Sequence, residues 1–386
     1  MKILILTLDD YPHCGGKSTH ISSLIDGLKY NNVDYEIISR NNISKMKNNL
    51  YKIMIYPLKF INQKKYAYLR KINEFNLFKK VLKKKLINNK YEYVSCQDAL
   101  ACTAYGQLGI DSNITLTMHT YFGLEYTLDN GLFKIGDELY EKLLSLEEES
   151  LNYADKVVGV DERIYNHVCD TIDNKFKSRK DKIKVCSIIN FTNTDLYNDE
   201  KIEHYNFDVL CVRRLVEKNG VIYAVKAMNY LKDYPNIKLH VYGNGPHLDM
   251  INDMVNKDNL SNVIVHGSID NSLLPDIYKK TDVVLVPSIT VNGLQEATSI
   301  SAIEAMSCAI PVIASSIGGL EQMIDDHKTG ILVEEKDSKK IAEMILKLYN
   351  NKEEALKIGK NARKYILNNN SHIVATKQYL DIFTSK

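Results

Sequence analysis

The segment Thr281–Gln322, TDVVLVPSITVNGLQEATSISAIEAMSCAIPVIASSIGGLEQ, leaves the chain few folds to choose from. A short apolar run ending at Val286 is closed by Pro287 and Ser288, the pattern of a buried parallel strand that runs into a functional loop. After a polar stretch, Thr298 and Ser299 precede the small-residue apolar run Ile300–Met306, which predicts a helix with hydroxyls at its N-terminus. Ile310–Ala314 reads as a second buried strand and Ser316–Gly319 as a backbone-exposing turn.

The same βα rhythm runs through the whole chain. Lys2–Leu8 reads as a strand, Pro12–Gly16 as a glycine loop, and Ser18–Tyr30 as a helix with Ile21, Leu24, Ile25 and Leu28 on one side. This is the opening of a doubly wound sheet. It is not a phosphate-binding P-loop, because Tyr11 stands where the first glycine of that motif is needed. Strands are expected at Tyr35–Ser39, Lys52–Tyr56, Tyr91–Cys96, Ile114–Met118 and Lys156–Val160, with a basic helix over Tyr68–Ile87 and an acidic one over Gly136–Ala154. Residues 198–206 are polar and suit a hinge. The pattern then restarts with strands at Phe207–Val212, Lys238–Tyr242 and Val263–His266, a helix at Val221–Leu231, and an edge strand at Gly330–Val333. Helices over Ser338–Asn350, Glu353–Leu367 and His372–Phe383 close the chain.

At 386 residues the chain is long for one core and fits two domains. No apolar stretch is long enough for a membrane span, and Asp9 and Asp10 interrupt the N-terminal run where a signal peptide would continue. The seven cysteines, Cys14, Cys96, Cys102, Cys169, Cys186, Cys211 and Cys308, form no C-x-x-C pair, which points to reduced thiols in a cytosol. A net charge of +2 argues against a nucleic-acid binder.

A helix N-terminus favours phosphate, and a carboxylate on either side of it suits hydroxyl groups. Glu296 and Glu304 bracket the expected helix start, about 12 Å apart if the segment were wholly helical. That order of groups fits a sugar, a diphosphate and a ribose. Ser301-x-x-Glu304 equally fits a capping box, in which Glu304 satisfies only a backbone N–H. His119 follows the strand at Ile114, and a polar residue at that end of a parallel strand faces the ligand crevice, although a lone histidine is also a common structural residue. Arg213 and Arg214 are adjacent in a chain with seven arginines against forty-three lysines, and they too end a strand.

Glu296 and Glu304 with seven residues between them, followed by Ala305-Met306 and Pro311-Val312-Ile313-Ala314, resemble the E-x7-E region of the retaining glycosyltransferases numbered family 4 (glycosyl transferases group 1, GT-B fold). Ala297 stands for the usual glycine of E-G-T-S, and Ala309 departs from the usual C-G-x-P-V. Arg214 and Lys218 resemble the G-R-L-x-x-x-K-G element, with Arg213 in the position of its glycine. Gly15-Gly16 is similar to the family's G-G loop and Gly243-Asn244-Gly245-Pro246 to its G-x-G-P turn. Lys182–Tyr197 resembles the V-I-P-N-G-V-D junction between domains, with Ile189 for proline and Phe191 for glycine.

The resemblance implies an α/β GT-B architecture: two doubly wound Rossmann-like domains facing a central cleft. Residues 1–195 would form an acceptor-side domain, 196–367 a nucleotide-sugar domain, and 368–386 a helix crossing back. It implies transfer of a hexose from a nucleoside diphosphate sugar, UDP-sugar favoured over GDP-sugar, to a glycan or lipid-linked acceptor with retention at the anomeric carbon. Glu296 would hold donor hydroxyls and Glu304 ribose hydroxyls. Arg214, Lys218 and the amides of Gly15, Gly16, Ala297, Thr298, Ser299 and Ile300 would surround the diphosphate. Gly243, His266 and Gly267 would lie along the donor, and His119 would meet the hexose. The chain has no D-x-D, so neither a metal nor another cofactor is expected. A GT-B nucleotide-sugar epimerase, or a silent glycosyltransferase-like subunit, is the alternative. Both are disfavoured by the presence of Arg214, Lys218, Glu296 and Glu304 together.

Residues 41–90 hold fourteen Lys or Arg against the single acid Glu74, leaving −11 for the remainder. Leu77, Phe78, Val81, Leu82, Leu86 and Ile87 interleave there with Lys79, Lys80 and Lys83–Lys85. One expectation is an anionic membrane surface as partner, on the inner face of the membrane of a cytoplasmic protein. The other is a solvated helix packing its apolar side on the sheet.

Overall fold

The computed structural model describes residues 1–13, 15–87, 89–121, 133–134 and 136–385; the reading of Cys14 as a reduced thiol lies outside these. The chain divides into two compact units. One comprises Met1–His13, Leu28–Ile188 and Gln378–Lys386, and the other Cys14–Gly27 and Ile189–Lys377.

The first unit holds a six-stranded parallel sheet of β1 (Lys2–Leu6), β2 (Asp34–Ile38), β3 (Tyr93–Cys96), β4 (Asn113–Met118), β5 (Lys156–Gly159) and β6 (Lys184–Ser187), in the order β2-β1-β3-β4-β5-β6. Ile3 to Leu6 are all fully buried, as a sheet covered on both faces requires. Helix α1 (Gly16–Tyr30) follows β1. Between β2 and β3 run α2 (Lys45–Met54), α3 (Leu58–Ile61) and α4 (Gln63–Lys85).

Two expectations are corrected here. Lys52–Tyr56 is not a strand: Ser44 accepts from the Lys47 amide as the N-cap of α2, and Met46, Leu50, Ile53 and Met54 recur at helical rather than alternating spacing. The acidic helix is also shorter than its sequence window, spanning Glu138–Glu148 before a 3₁₀ turn at Glu149–Asn152.

The second unit repeats the plan with β7 (Phe207–Val212), β8 (Ile237–Tyr242), β9 (Val263–Gly267), β10 (Val283–Val286), β11 (Val312–Ser315) and β12 (Ile331–Val333), all parallel, ordered β12-β11-β10-β7-β8-β9. Alternate residues feed opposite cores. Val209, Val283 and Leu285 join one apolar cluster, while Leu210, Val284 and Val286 join the other. The chain leaves β7 for β8 and β9 on one side and returns to β10 on the other, so the order reverses between β7 and β10. Ligands of such sheets bind outside the carboxyl ends of the strands at that reversal.

Candidate functional site

Two loops leave the sheet at the reversal. The loop after β7 begins with Arg213 and Arg214, and the loop after β10 passes Ser288 and Glu296 before α5 (Ile300–Ser307) starts. Gly220 joins the loops: at φ +61° its Cβ would stand 1.8 Å from the Pro287 carbonyl, so only glycine fits. The Ile289 amide also donates to the Lys218 carbonyl at 2.8 Å.

Arg213 is the centre of what these loops build, and its role was not read from the sequence. Its guanidinium donates to Glu296 Oε2 at 2.7 Å, Ser299 Oγ at 2.7 Å, Ser288 Oγ at 2.8 Å and Asn219 Oδ1 at 2.9 Å. The residue is only 9% exposed, and its Nε has no partner among the described residues. The signal was there in the doubled arginine, but the motif assigned this position to a glycine. One terminal nitrogen of the planar guanidinium holds Glu296 through Oε2 while the other holds Ser299, so one rigid group ties the carboxylate to the helix start as a lysine could not. Glu296 also accepts from Ser288 at 3.3 Å, so its orientation is set before any ligand arrives.

Helix α5 begins at N-cap Ser299, whose side chain bonds Arg213 instead of capping the helix. The capping-box alternative for Glu304 therefore fails: the N-cap is Ser299, not Ser301. Glu304 is 3% exposed and accepts a hydrogen bond from the Tyr278 hydroxyl at 2.9 Å, with Tyr197 as a second partner. Burial raises its pKa to about 7 against the opposing effect of these two bonds. The unfolded value lies near 4.5, so between that pH and about 7 the folded chain holds a proton that the unfolded chain has lost. This contribution to stability is full below 4.5 and is lost as pH rises through 7. Glu304→Gln should thus melt progressively higher than the wild type as pH goes from about 5 to 8, by on the order of 3 kcal/mol of stability at the upper end. A melting difference independent of pH would show that the carboxyl is not held in this environment.

Thr298 is fixed from behind, where the Asn190 side chain donates to its carbonyl at 2.9 Å. His20 Nδ1 meets Asn190 Oδ1 at 3.0 Å, and burial lowers this histidine to about 4, so the ring is neutral. The Gly319 amide donates to the Glu296 carbonyl, and a Cβ there would stand 2.6 Å from Ala297. Gly16 reaches the same place, its notional Cβ lying 3.4 Å from Ile300, while Gly15 accepts the Thr19 amide to start α1.

Arg214 is exposed and Lys218 half-buried on the loop after β7. Gly243 packs its backbone against the Arg213 carbonyl, where a Cβ would come within 1.9 Å, and its amide donates to Gly267. His266 stacks on Tyr242 at 4.1 Å. Burial, and next the neighbouring His240, lower its pKa. These groups all belong to the second unit. His119 belongs to the first, at the end of β4, where its Nε2 lies 3.1 Å from Gln97 Oε1. Among the described residues, no cluster of His, Cys, Asp or Glu is arranged to hold a metal ion.

Residues 194–365 match the family model described as Glycosyl transferases group 1. The chain is 25% identical over 371 residues to the uncharacterized glycosyltransferase MJ1178 of Methanocaldococcus jannaschii, covering 95% of this chain and 93% of that one. It is 29% identical over 165 residues to the GDP-mannose-dependent alpha-(1-6)-phosphatidylinositol monomannoside mannosyltransferase of Mycolicibacterium smegmatis, 42% of this chain and 43% of that one. Its fold matches that of HepE from Anabaena, whose structure is a complex with UDP-glucose, with a TM-score of 0.69, 15% identity and full coverage of both chains. With two parallel six-stranded sheets of this topology, the chain has the GT-B fold, and its match to the glycosyl transferases group 1 model covers residues 194–365.

Proposed function

We propose that the chain transfers a hexose from a nucleoside diphosphate sugar to a hydroxyl of a glycan or lipid-linked acceptor, with retention and without a metal. One observation carries this reading: a carboxylate, Glu296, fixed by Arg213 at the β7/β10 reversal, immediately before a helix start whose N-cap side chain is engaged elsewhere. In this reading Glu296 binds donor hydroxyls and Glu304 the ribose. Arg214, Lys218 and the amides of Gly15, Gly16 and Ala297–Ile300 face the diphosphate, Gly243, His266 and Gly267 flank the nucleoside, and His119 meets the hexose. The acceptor oxygen bonds to the anomeric carbon as the bond to the diphosphate oxygen breaks on the same face, and the leaving phosphate takes the acceptor proton. Negative charge builds on that leaving group, which is where fixed cations lower the barrier.

UDP-sugar is the favoured donor, supported by the UDP-glucose complex of the structural neighbour; the mannosyltransferase relative keeps GDP-sugar as the second choice. A thermal-shift screen over UDP, GDP and ADP, followed by release of the matching nucleotide from its sugar, tests the reading. The expected result is one nucleotide that raises the melting temperature, at about 2.7 kcal/mol for a concentration a hundredfold above Kd, and donor consumption that persists in EDTA. Donor binding without consumption would make the chain a silent subunit. Activity lost in EDTA and restored by a divalent ion would overturn the metal-free step.

A further inference from the structure

The basic window 41–90 separates in the structure into two surfaces of different kinds. On α4 the apolar side chains Phe75, Phe78 and Leu82 are buried, so that helix is an ordinary amphipathic packing element. Neither α2 nor α3 has a single buried residue. Met46, Leu50, Ile53 and Met54 follow the i, i+4, i+7, i+8 spacing of one helix face, which in a soluble helix belongs against a core. Here, with Phe60 and Ile61 from α3, all six are between 59 and 79% exposed.

Residues 45–65 contain six lysines and no acid. Lys64 donates to Asp137 and Lys52 lies 4.0 Å from Glu74, while Lys45, Lys47, Lys59 and Lys65 are exposed. Below this segment, Ile55 is buried as an anchor and Asn48 bonds Asn73 of α4, so the apolar face is presented from a fixed base. Six large apolar side chains on short helices ringed by one sign of charge match the headgroup layer of an anionic bilayer, which takes up apolar side chains and attracts lysine. A protein partner of matching apolar area would leave the four exposed lysines without a counter-charge unless it were acidic as well.

We propose that α2 and α3 dock this chain on an anionic lipid surface, the six apolar side chains entering the headgroup layer while the lysines pair with lipid phosphates. The docking does not depend on the transfer reaction, and the two can fail separately.

The test is sedimentation of the full chain with vesicles of phosphatidylglycerol and phosphatidylcholine, against phosphatidylcholine alone, at low and high salt. Protein should pellet with the anionic vesicles at low salt and be released by high salt. Phe60→Ser with Ile61→Ser, and separately Lys45→Glu with Lys47→Glu and Lys59→Glu, should each reduce partitioning by at least about 10-fold. Because the altered side chains are exposed, both variants should keep the wild-type melting temperature and the wild-type rate of donor consumption in vesicle-free solution. Protein that stays in the supernatant at low salt, or variants that bind like the wild type, would overturn the proposal. So would light scattering that shows a dimer which the Phe60/Ile61 variant converts to monomer, since the face would then belong to a second copy.

Discussion

Replacing Arg213 with alanine is expected to lower the melting temperature by roughly 6–12 °C and to abolish donor consumption, the first figure following from about 3 kcal/mol at 2–4 °C per kcal/mol. The substitution removes the donor to Glu296, Ser288, Ser299 and Asn219 at once and leaves a largely buried carboxylate without its cationic partner. The lower end of the usual range for breaking a buried pair applies, because the Glu296 side chain retains 16% exposure. Removing both charges separates structure from chemistry. Arg213→Met with Glu296→Leu should recover most of the lost stability, since a buried ion pair adds little over well-packed apolar groups, yet remain inactive. If Arg213→Ala melts like the wild type, the guanidinium is not paired in solution as described.

Lys218→Ala should lower kcat by about 10² to 10³ and change the donor KM much less. Its backbone is held by the Ile289 amide and by the close approach of Gly220 to Pro287, so the loop should keep its course without the ammonium. A group that acts on the developing diphosphate charge affects the transition state more than the bound donor. Initial rates over donor concentration decide the matter: a large rise in KM with kcat intact would make Lys218 a ground-state binding residue instead.

Most of the fold was legible because buried parallel strands are continuous apolar runs. Phe207–Val212 and the run ending at Val286 could hardly have been anything else once both faces of the sheet are covered. Lys52–Tyr56 misled for a related reason. Exposed apolar side chains imitate a buried strand, and nothing in composition tells an apolar face that meets solvent from one that meets a core. In the candidate site, the place of Glu296 just before a helix start followed from the sequence. Arg213 was not legible, because a motif names the residue types of relatives, and an arginine in a glycine's place reads as a departure until its four acceptors are seen converging on it. Glu304 was half legible: its placement on the helix followed from sequence, but its two tyrosine partners lie 26 and 107 residues away along the chain.

The central claim is that the Arg213–Glu296 site holds a nucleoside diphosphate sugar for transfer with retention. Proton NMR of the sugar first formed from UDP-glucose, or from GDP-mannose if that is the donor consumed, tests it most directly. The account predicts an α-anomeric signal before mutarotation sets in, absent with Glu296→Gln. A β signal appearing first, or an α signal of undiminished rate in Glu296→Gln, would contradict it.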